Sequence, residues 1–130
     1  MNSPLNAALF QAIAGGDVQK VVSLLDEGAD PNAVNDQYGS TALRDAVDGA
    51  DDDAEHSDIV RVLLERGADP NQDTPLLSAA YHRYTDTVRL LLAYDVDPNQ
   101  TCDEGSALFS AEQHGYTEIV AMLRAAGAHG

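Results

Sequence analysis

Residues 58–71 read D-I-V-R-V-L-L-E-R-G-A-D-P-N, and the reading of this stretch decides the fold. Ile59, Val60, Val62, Leu63 and Leu64 recur at helical spacing and make one broad apolar face, while Asp58, Arg61, Glu65 and Arg66 keep the other side in water. Gly67 supplies the left-handed residue on which helices commonly end, and Pro70 lacks the N–H needed to restart one. The stretch therefore predicts an amphipathic helix with its own stop. Three more copies follow the same pattern: V-V-S-L-L-D-E-G-A-D-P-N at 21–32, V-R-L-L-L-A-Y-D-V-D-P-N at 88–99 and V-A-M-L-R-A-A-G-A-H at 120–129. Their stop positions, Gly28, Gly67, Asp95 and Gly127, lie 39, 28 and 32 residues apart. The repeat is thus about 33 residues long.

Between the copies lie A-A-L-F-Q-A-I from Ala7, T-A-L-R-D-A-V from Thr41, T-P-L-L-S-A-A from Thr74 and S-A-L-F-S-A-E from Ser106. Period and segments together resemble the ankyrin-repeat family, whose units open on Thr-Pro-Leu-His with a later Ala-Ala. The resemblance covers nearly the whole chain, although only the Thr74 copy keeps Thr-Pro-Leu and none keeps the following His. It implies an all-α, ankyrin-repeat solenoid of four helix-turn-helix repeats with short β-turn or hairpin fingers. One domain over residues 1–130 is expected, with repeats at 4–35, 36–72, 73–100 and 101–130.

The charge narrows the choice of partner. Seven basic residues against 22 acidic ones leave a formal charge of −15, and such a field repels phosphate backbones and anionic lipid headgroups. Nucleic acid and membrane are therefore not expected as partners. Hydrophobic residues make up 44% of the chain without any Trp, so Ala and Leu must do the packing. The single cysteine, Cys102, allows no intramolecular disulfide and fits a reducing, cytoplasmic location. Leu5 to Ile13 is interrupted by Asn6 and Gln11 and has no basic residue before it, so it does not read as a secretory signal. No apolar run is long enough to span a membrane.

In chain order, Ser3-Pro4 reads as an N-cap followed by proline at the first helical position, which opens a helix over 4–14 with Leu9, Ala12 and Ile13 inward. Gly15-Gly16 is a turn and Asp17 caps the next helix, where polar Lys20 and Ser23 suggest an outer face with no repeat before it. A-V-N-D-Q-Y-G-S, residues 33–40, has the composition of a finger, with Gln37, Tyr38 and Ser40 placed at its tip. From Thr41 to Gly67 there are 26 residues where the other repeats have 21, so five are inserted between the two helices. The insertion lies in Asp45 to Asp58, which holds seven acidic residues and no Lys or Arg; such a run cannot be buried and stays solvated. Gly67 to Thr74 is only 7 residues, against 13 and 11 at the other junctions, so the second finger is nearly deleted. Arg83 stands where the third repeat should have its inter-helix glycine. Glu112 and Arg124 replace apolar residues of the earlier repeats and suit a C-terminal cap that completes the array.

Signatures of chemistry are sparse. No nucleophile elbow, phosphate loop, H-E-x-x-H or paired C-x-x-C occurs. His56, with Tyr84 and Tyr116 in the later repeats, takes the place of the family's structural histidine. Asn32, Asn71 and Asn99 read as caps of their own turns, and Cys102 reads as a spectator thiol without a nearby base. Asp51, Asp53 and Glu55 alternate as the first ligands of a calcium loop do, but the glycine and late glutamate of that loop are missing. Tyrosines on fingers and inner-helix ends coincide with the positions through which ankyrin proteins grip partners, and Tyr is enriched at interface cores. The candidate partner-binding set is Gln37, Tyr38, Ser40, Asp48, Asp51, Asp52 and Asp53, then Tyr81, His82, Arg83, Tyr84, Gln113 and His114.

The expectation is a non-enzymatic protein–protein interaction module, monomeric when free, with no cofactor and no metal. Its concave face would bind a basic protein surface, in a sharper form as an inhibitor or immunity-type protein of a basic enzyme. A carboxylate-dependent hydrolase is the alternative from another class, and would require a deep pocket with two converging acids. An acidic metal-binding protein is a further alternative.

Overall fold

A computed structural model describes residues 4–35, 37–48, 57–102 and 105–128. The chain divides into two compact units, residues 1–69 and 70–130, and each contains two helical pairs. Ser3, the acidic run from 49 to 56 with Asp51, Asp52, Asp53, Glu55 and His56, and the pair Asp103 and Glu104 lie outside the described residues.

In the first unit, α1 (Pro4–Ala14) pairs with α2 (Val18–Asp26), and α3 (Ala42–Asp48) with α4 (Ser57–Glu65). Asp17 caps α2 as its sequence predicts, accepting from the Lys20 N–H at 3.1 Å. α1 packs on α3 and α2 on α4, which encloses Leu9, Ile13, Val21, Leu43, Val47, Ile59 and Leu63 almost completely. Each such side chain is worth about 1.5–3 kcal/mol relative to exposure.

In the second unit, α5 (Pro75–Tyr81) pairs with α6 (Thr85–Ala93), and α7 (Ala107–His114) with α8 (Thr117–Ala125). The α5–α7 contact is made of small residues, with Ala79, Ala80, Ala107 and Ala111 all fully enclosed beside Leu76. α6 packs on α8 around Val88, Leu91, Ile119 and Leu123. Glu112 and Arg124 meet in an exposed ion pair of 2.7 Å, which explains why neither needs an apolar neighbour.

Fingers follow the connection lengths. In the first, Val34 bridges Thr41, and the Asn35 N–H donates to the Ser40 carbonyl at 2.7 Å. In the last, β1 (Thr101–Cys102) pairs antiparallel with β2 (Gly105–Ser106). The connection predicted to have lost its finger forms turns over 70–73 without a strand pair among the described residues. Asp73 and Thr74 both take positive φ there, 65° and 50°.

The prolyl-asparagine residues need a correction. In two of their turns a preceding aspartate makes the bond across the turn: Asp30 Oδ1 accepts from the Asn32 N–H at 2.8 Å and Asp97 Oδ1 from the Asn99 N–H at 2.9 Å. The asparagine side chains reach instead to the matching turn of the following repeat. Asn32 Oδ1 accepts from the Asp69 N–H at 2.7 Å while its Nδ2 donates to the Gly67 carbonyl. Asn71 accepts from the Asp97 N–H at 2.7 Å, and Asn99 donates to the Gly127 carbonyl. In the first repeat Asn6 on α1 accepts from the Asp30 N–H. The asparagines thus pair orphaned backbone groups at helix ends, one repeat to the next.

Candidate functional site

The inter-helix turns of the third and fourth repeats have one geometry. The Tyr84 N–H donates to the Ala79 carbonyl and the Tyr116 N–H to the Ala111 carbonyl, both at 2.9 Å, and between ring and ring stands one left-handed residue: Arg83 at φ 61° or Gly115 at φ 73°. That turn brings the side chains two residues apart into register. His82 stacks on Tyr84 with centroids 5.2 Å apart and planes at 22°, and His114 stacks on Tyr116 at 5.1 Å and 21°. Tyr81 closes the gap between the stacks, edge-on to His82 at 5.2 Å and to His114 at 5.4 Å. The Arg83 guanidinium lies 5.3 Å from the Tyr116 ring centroid. Five rings and a guanidinium thus form one continuous surface.

Hydrogen bonding fixes the His114 ring. Its Nδ1 lies 2.8 Å from the Ser110 carbonyl oxygen; a carbonyl only accepts, so Nδ1 carries the proton and Nε2 is the free edge. Beside it opens a groove of ≈ 180 Å³, with Leu77 as its buried floor and Tyr81 and Phe109 as flanking rings. Tyr81 is 54% exposed and Phe109 50%, large fractions for apolar rings in a chain of this size. Cys102, Gly105 and Ser106 from the finger and Ser110, Gln113 and His114 from α7 also line it. Ser110 Oγ is enclosed without a hydrogen-bond partner.

Of the predicted residues, Tyr81, His82, Arg83, Tyr84, Gln113 and His114 are brought together here. The others belong to the first unit. Gln37 and Tyr38 do occupy the tip of the first finger, their N–H groups turned onto Asn35 Oδ1, with Tyr38 74% exposed. Ser40 does not: it stands in the finger's ladder, and its hydroxyl donates to Asp45 Oδ1 at 2.6 Å. Asp48 is the last residue of α3, bonded to Arg44 Nε at 2.7 Å. Asp51, Asp52 and Asp53 lie outside the described residues.

Sequence reasoning missed Phe109, Leu77 and the part played by Cys102 and Tyr116. One signal was available. In each repeat the residue after the signature leucine, Phe10, Arg44, Leu77 or Phe109, follows a leucine that already fills the core. In that second place Leu77 is buried all the same, whereas Phe109 is left half exposed. Among the described residues no carboxylate lines the groove, so the pair of converging acids that a carboxylate-dependent hydrolase would need is not found among them.

A family model described as "Ankyrin repeats (3 copies)" matches residues 2–73 and again 54–129. The chain is 43% identical over 67 residues to the 2-5A-dependent ribonuclease of Mus musculus, which covers 52% of this chain and 8% of that protein. It is 45% identical over 69 residues to the mitochondrial disaggregase of Bos taurus, covering 53% and 9%. With the cyclin-dependent kinase 4 inhibitor B of Rattus norvegicus it shares 37% over 70 residues, covering 54% and 48%. The chain therefore spans less than a tenth of the first two relatives' length and about half of the third's. Among the described residues no helix is long and apolar enough to cross a membrane.

Proposed function

This chain belongs to the ankyrin-repeat family, and from that premise we propose that it holds a basic protein surface against the ring-bearing side of its third and fourth repeats. Proteins of this family are generally protein–protein interaction modules and typically not enzymes. The observation that carries the proposal is the ring surface itself: Tyr81 and Phe109 stay half in water beside an ordered aromatic cluster. Anchoring rings of this kind supply much of the affinity at protein interfaces.

The preference for a basic partner is supported by the formal charge of −15 and by the ion pairs that already occupy Arg44, Arg66, Arg89 and Arg124. In the first unit, the finger residues Gln37 and Tyr38, with Asp48 and the inserted Asp51, Asp52 and Asp53, are proposed as partner-binding residues in their own right, and the acids among them would steer a basic partner's approach. One relative is named as an inhibitor; by analogy the binding here would occlude a basic enzyme. The same proposal makes the protein monomeric when free and cytoplasmic.

Affinity capture from the native host, at several salt concentrations, tests this. The captured protein should be basic and released as ionic strength rises, because exposed charges are screened beyond a Debye length of about 8 Å at physiological salt. Tyr81→Ala with Phe109→Ala should cost about 2 kcal/mol or more of affinity. Replacing Asp51, Asp52 and Asp53 by Asn should slow association and flatten its salt dependence. A captured partner that is acidic, or that binds the tyrosine–phenylalanine variant normally, would refute the proposal.

A further inference from the structure

Resting on the protein-binding reading, we propose that the groove between Tyr81 and Phe109 receives a single aromatic side chain of the partner, carried on a segment that also bears Lys or Arg.

Size sets the first limit. An apolar cavity of about 150 Å³ accepts benzene, whereas pockets for drug-sized molecules run from about 300 Å³ upward. At ≈ 180 Å³ the groove has room for one aromatic side chain. The chemistry of its walls sets the second. Among the described residues its walls include Leu77, Tyr81 and Phe109, apolar surface against which an inserted charge loses its water and finds no counterion. A ring loses nothing of the kind and gains the faces of Tyr81 and Phe109.

Phe109 stands where it does because the finger makes room for it. A Cβ on Gly105 would come within 3.0 Å of Phe109 Cδ2, and Gly105 sits at φ +111°, where side chains are strained. Glycine therefore lets the finger backbone close on one side of the phenyl ring and leaves the groove wall in place. At the rim the free Nε2 edge of His114 can accept from an indole N–H or a phenol, the polar handle that buried Trp and Tyr usually satisfy. Charge complementarity supplies the rest of the segment. The described lining is uncharged, while the whole molecule carries a formal charge of −15. A ring flanked by basic residues suits both features.

Cys102 is the only cysteine and lines the groove, so its alkylation reports occupancy. The full chain is treated with N-ethylmaleimide in the presence of N-acetyl-tryptophan amide, N-acetyl-arginine amide or N-acetyl-alanine amide, and the adduct is followed by intact mass. A tryptophan probe binding with a Kd of about 1 mM and used at about 5 mM slows alkylation about sixfold. The alanine and arginine probes should change the rate less than twofold, and Phe109→Ala, checked for native helicity, should abolish the protection. No protection by the tryptophan probe overturns the proposal, as does protection of equal size by alanine. Stronger protection by arginine also overturns it and makes the groove a cation site. Any of these results, combined with loss of the captured partner in the Tyr81 and Phe109 variant, removes the aromatic anchor while leaving the binding module intact. Normal capture by that variant removes both.

Discussion

Asp95 stands at a position that three of the four repeats give to glycine, and replacing it should stabilise the protein. Gly28, Gly67 and Gly127 have φ of 109°, 97° and 102° after their helices, and Asp95 takes φ 64° directly after α6. A β-carbon in left-handed backbone costs roughly 1–2 kcal/mol, and aspartate, which tolerates that region better than most residues, sits near the lower end at about 1 kcal/mol. Glycine returns about 0.7 kcal/mol of this through its larger freedom in the unfolded chain. The negative charge adds a second term, because a helix C-terminus carries partial negative charge; at an exposed site, removing an acid there gains about 0.4 kcal/mol. The side chain of Asp95 makes no hydrogen bond or ion pair among the described residues, so nothing is lost in exchange. Asp95→Gly should therefore raise stability by about 0.7 kcal/mol, or roughly 3 °C in Tm for a chain of this length.

Urea and thermal unfolding followed by circular dichroism measure the change, and two further variants separate its causes. Asp95→Asn removes the charge while keeping a residue that tolerates the left-handed region, so it should gain only the electrostatic part. Asp95→Ala removes the charge but keeps the β-carbon without any compensating polar group, and should fall below both. If alanine matches glycine, backbone strain contributes nothing at this position. If glycine destabilises the protein, the reasoning fails altogether.

Two other outcomes follow from the packing. We propose that residues 1–130 fold as one domain, so that truncation after Asn99 strips α7 from α5 and α8 from α6, uncovering Leu76, Ala80 and the Leu90 to Leu92 turn; a loss of more than about 3 kcal/mol in urea unfolding is expected, and a soluble fragment of undiminished stability would contradict it. Asn32→Ala removes a donor to Gly67 and an acceptor for the Asp69 N–H and should cost about 1–2 kcal/mol, whereas Asn32→Asp, which keeps the acceptor, should cost less; equal losses would mean that the bond to Asp69 carries none of the effect.

Much of the architecture was legible in 58–71 because a helix writes its period and its stop into neighbouring residues. The first finger, the shortened second connection and the Asp17 cap were legible for the same reason: each is decided within a few residues. The asparagine bridges were not. Asn32 meets Asp69 and Gly67 across 37 and 35 positions, and only the stacking of repeats brings those turns together. Ser40 was misplaced because its hydroxyl bonds to a carboxylate on the next helix, a choice the turn composition does not express. The ring surface was half legible. Tyr81 to Tyr84 stood out as a cluster, but pairing His82 with Tyr84 and His114 with Tyr116 requires the left-handed residue between them. The groove depended on Phe109, on the first turn of α7, lying against Gly105 of the finger, an approach that a Cβ at Gly105 would crowd.

Arg83 and Asp95 make the connection between strain and site concrete. Both are non-glycine residues in left-handed backbone, at φ 61° and 64°, where the equivalent residue of another repeat is glycine. Both hold similar stored energy, yet only one uses its side chain. The Asp95 carboxylate points at no partner among the described residues, while the Arg83 guanidinium covers the Tyr116 ring and joins the stacks of two repeats. An exposed cation–π contact of that kind is worth about 0.5–1 kcal/mol, close to the strain it accompanies, so stability alone gives little reason to prefer arginine there. A substitution that is neutral for folding and that places a cation at the centre of the ring surface makes sense if that surface meets something. Strain of this kind gathers where structure is shaped by binding, and its coincidence with Tyr81, His82 and His114 supports the proposal that the ring surface of the third and fourth repeats meets the partner.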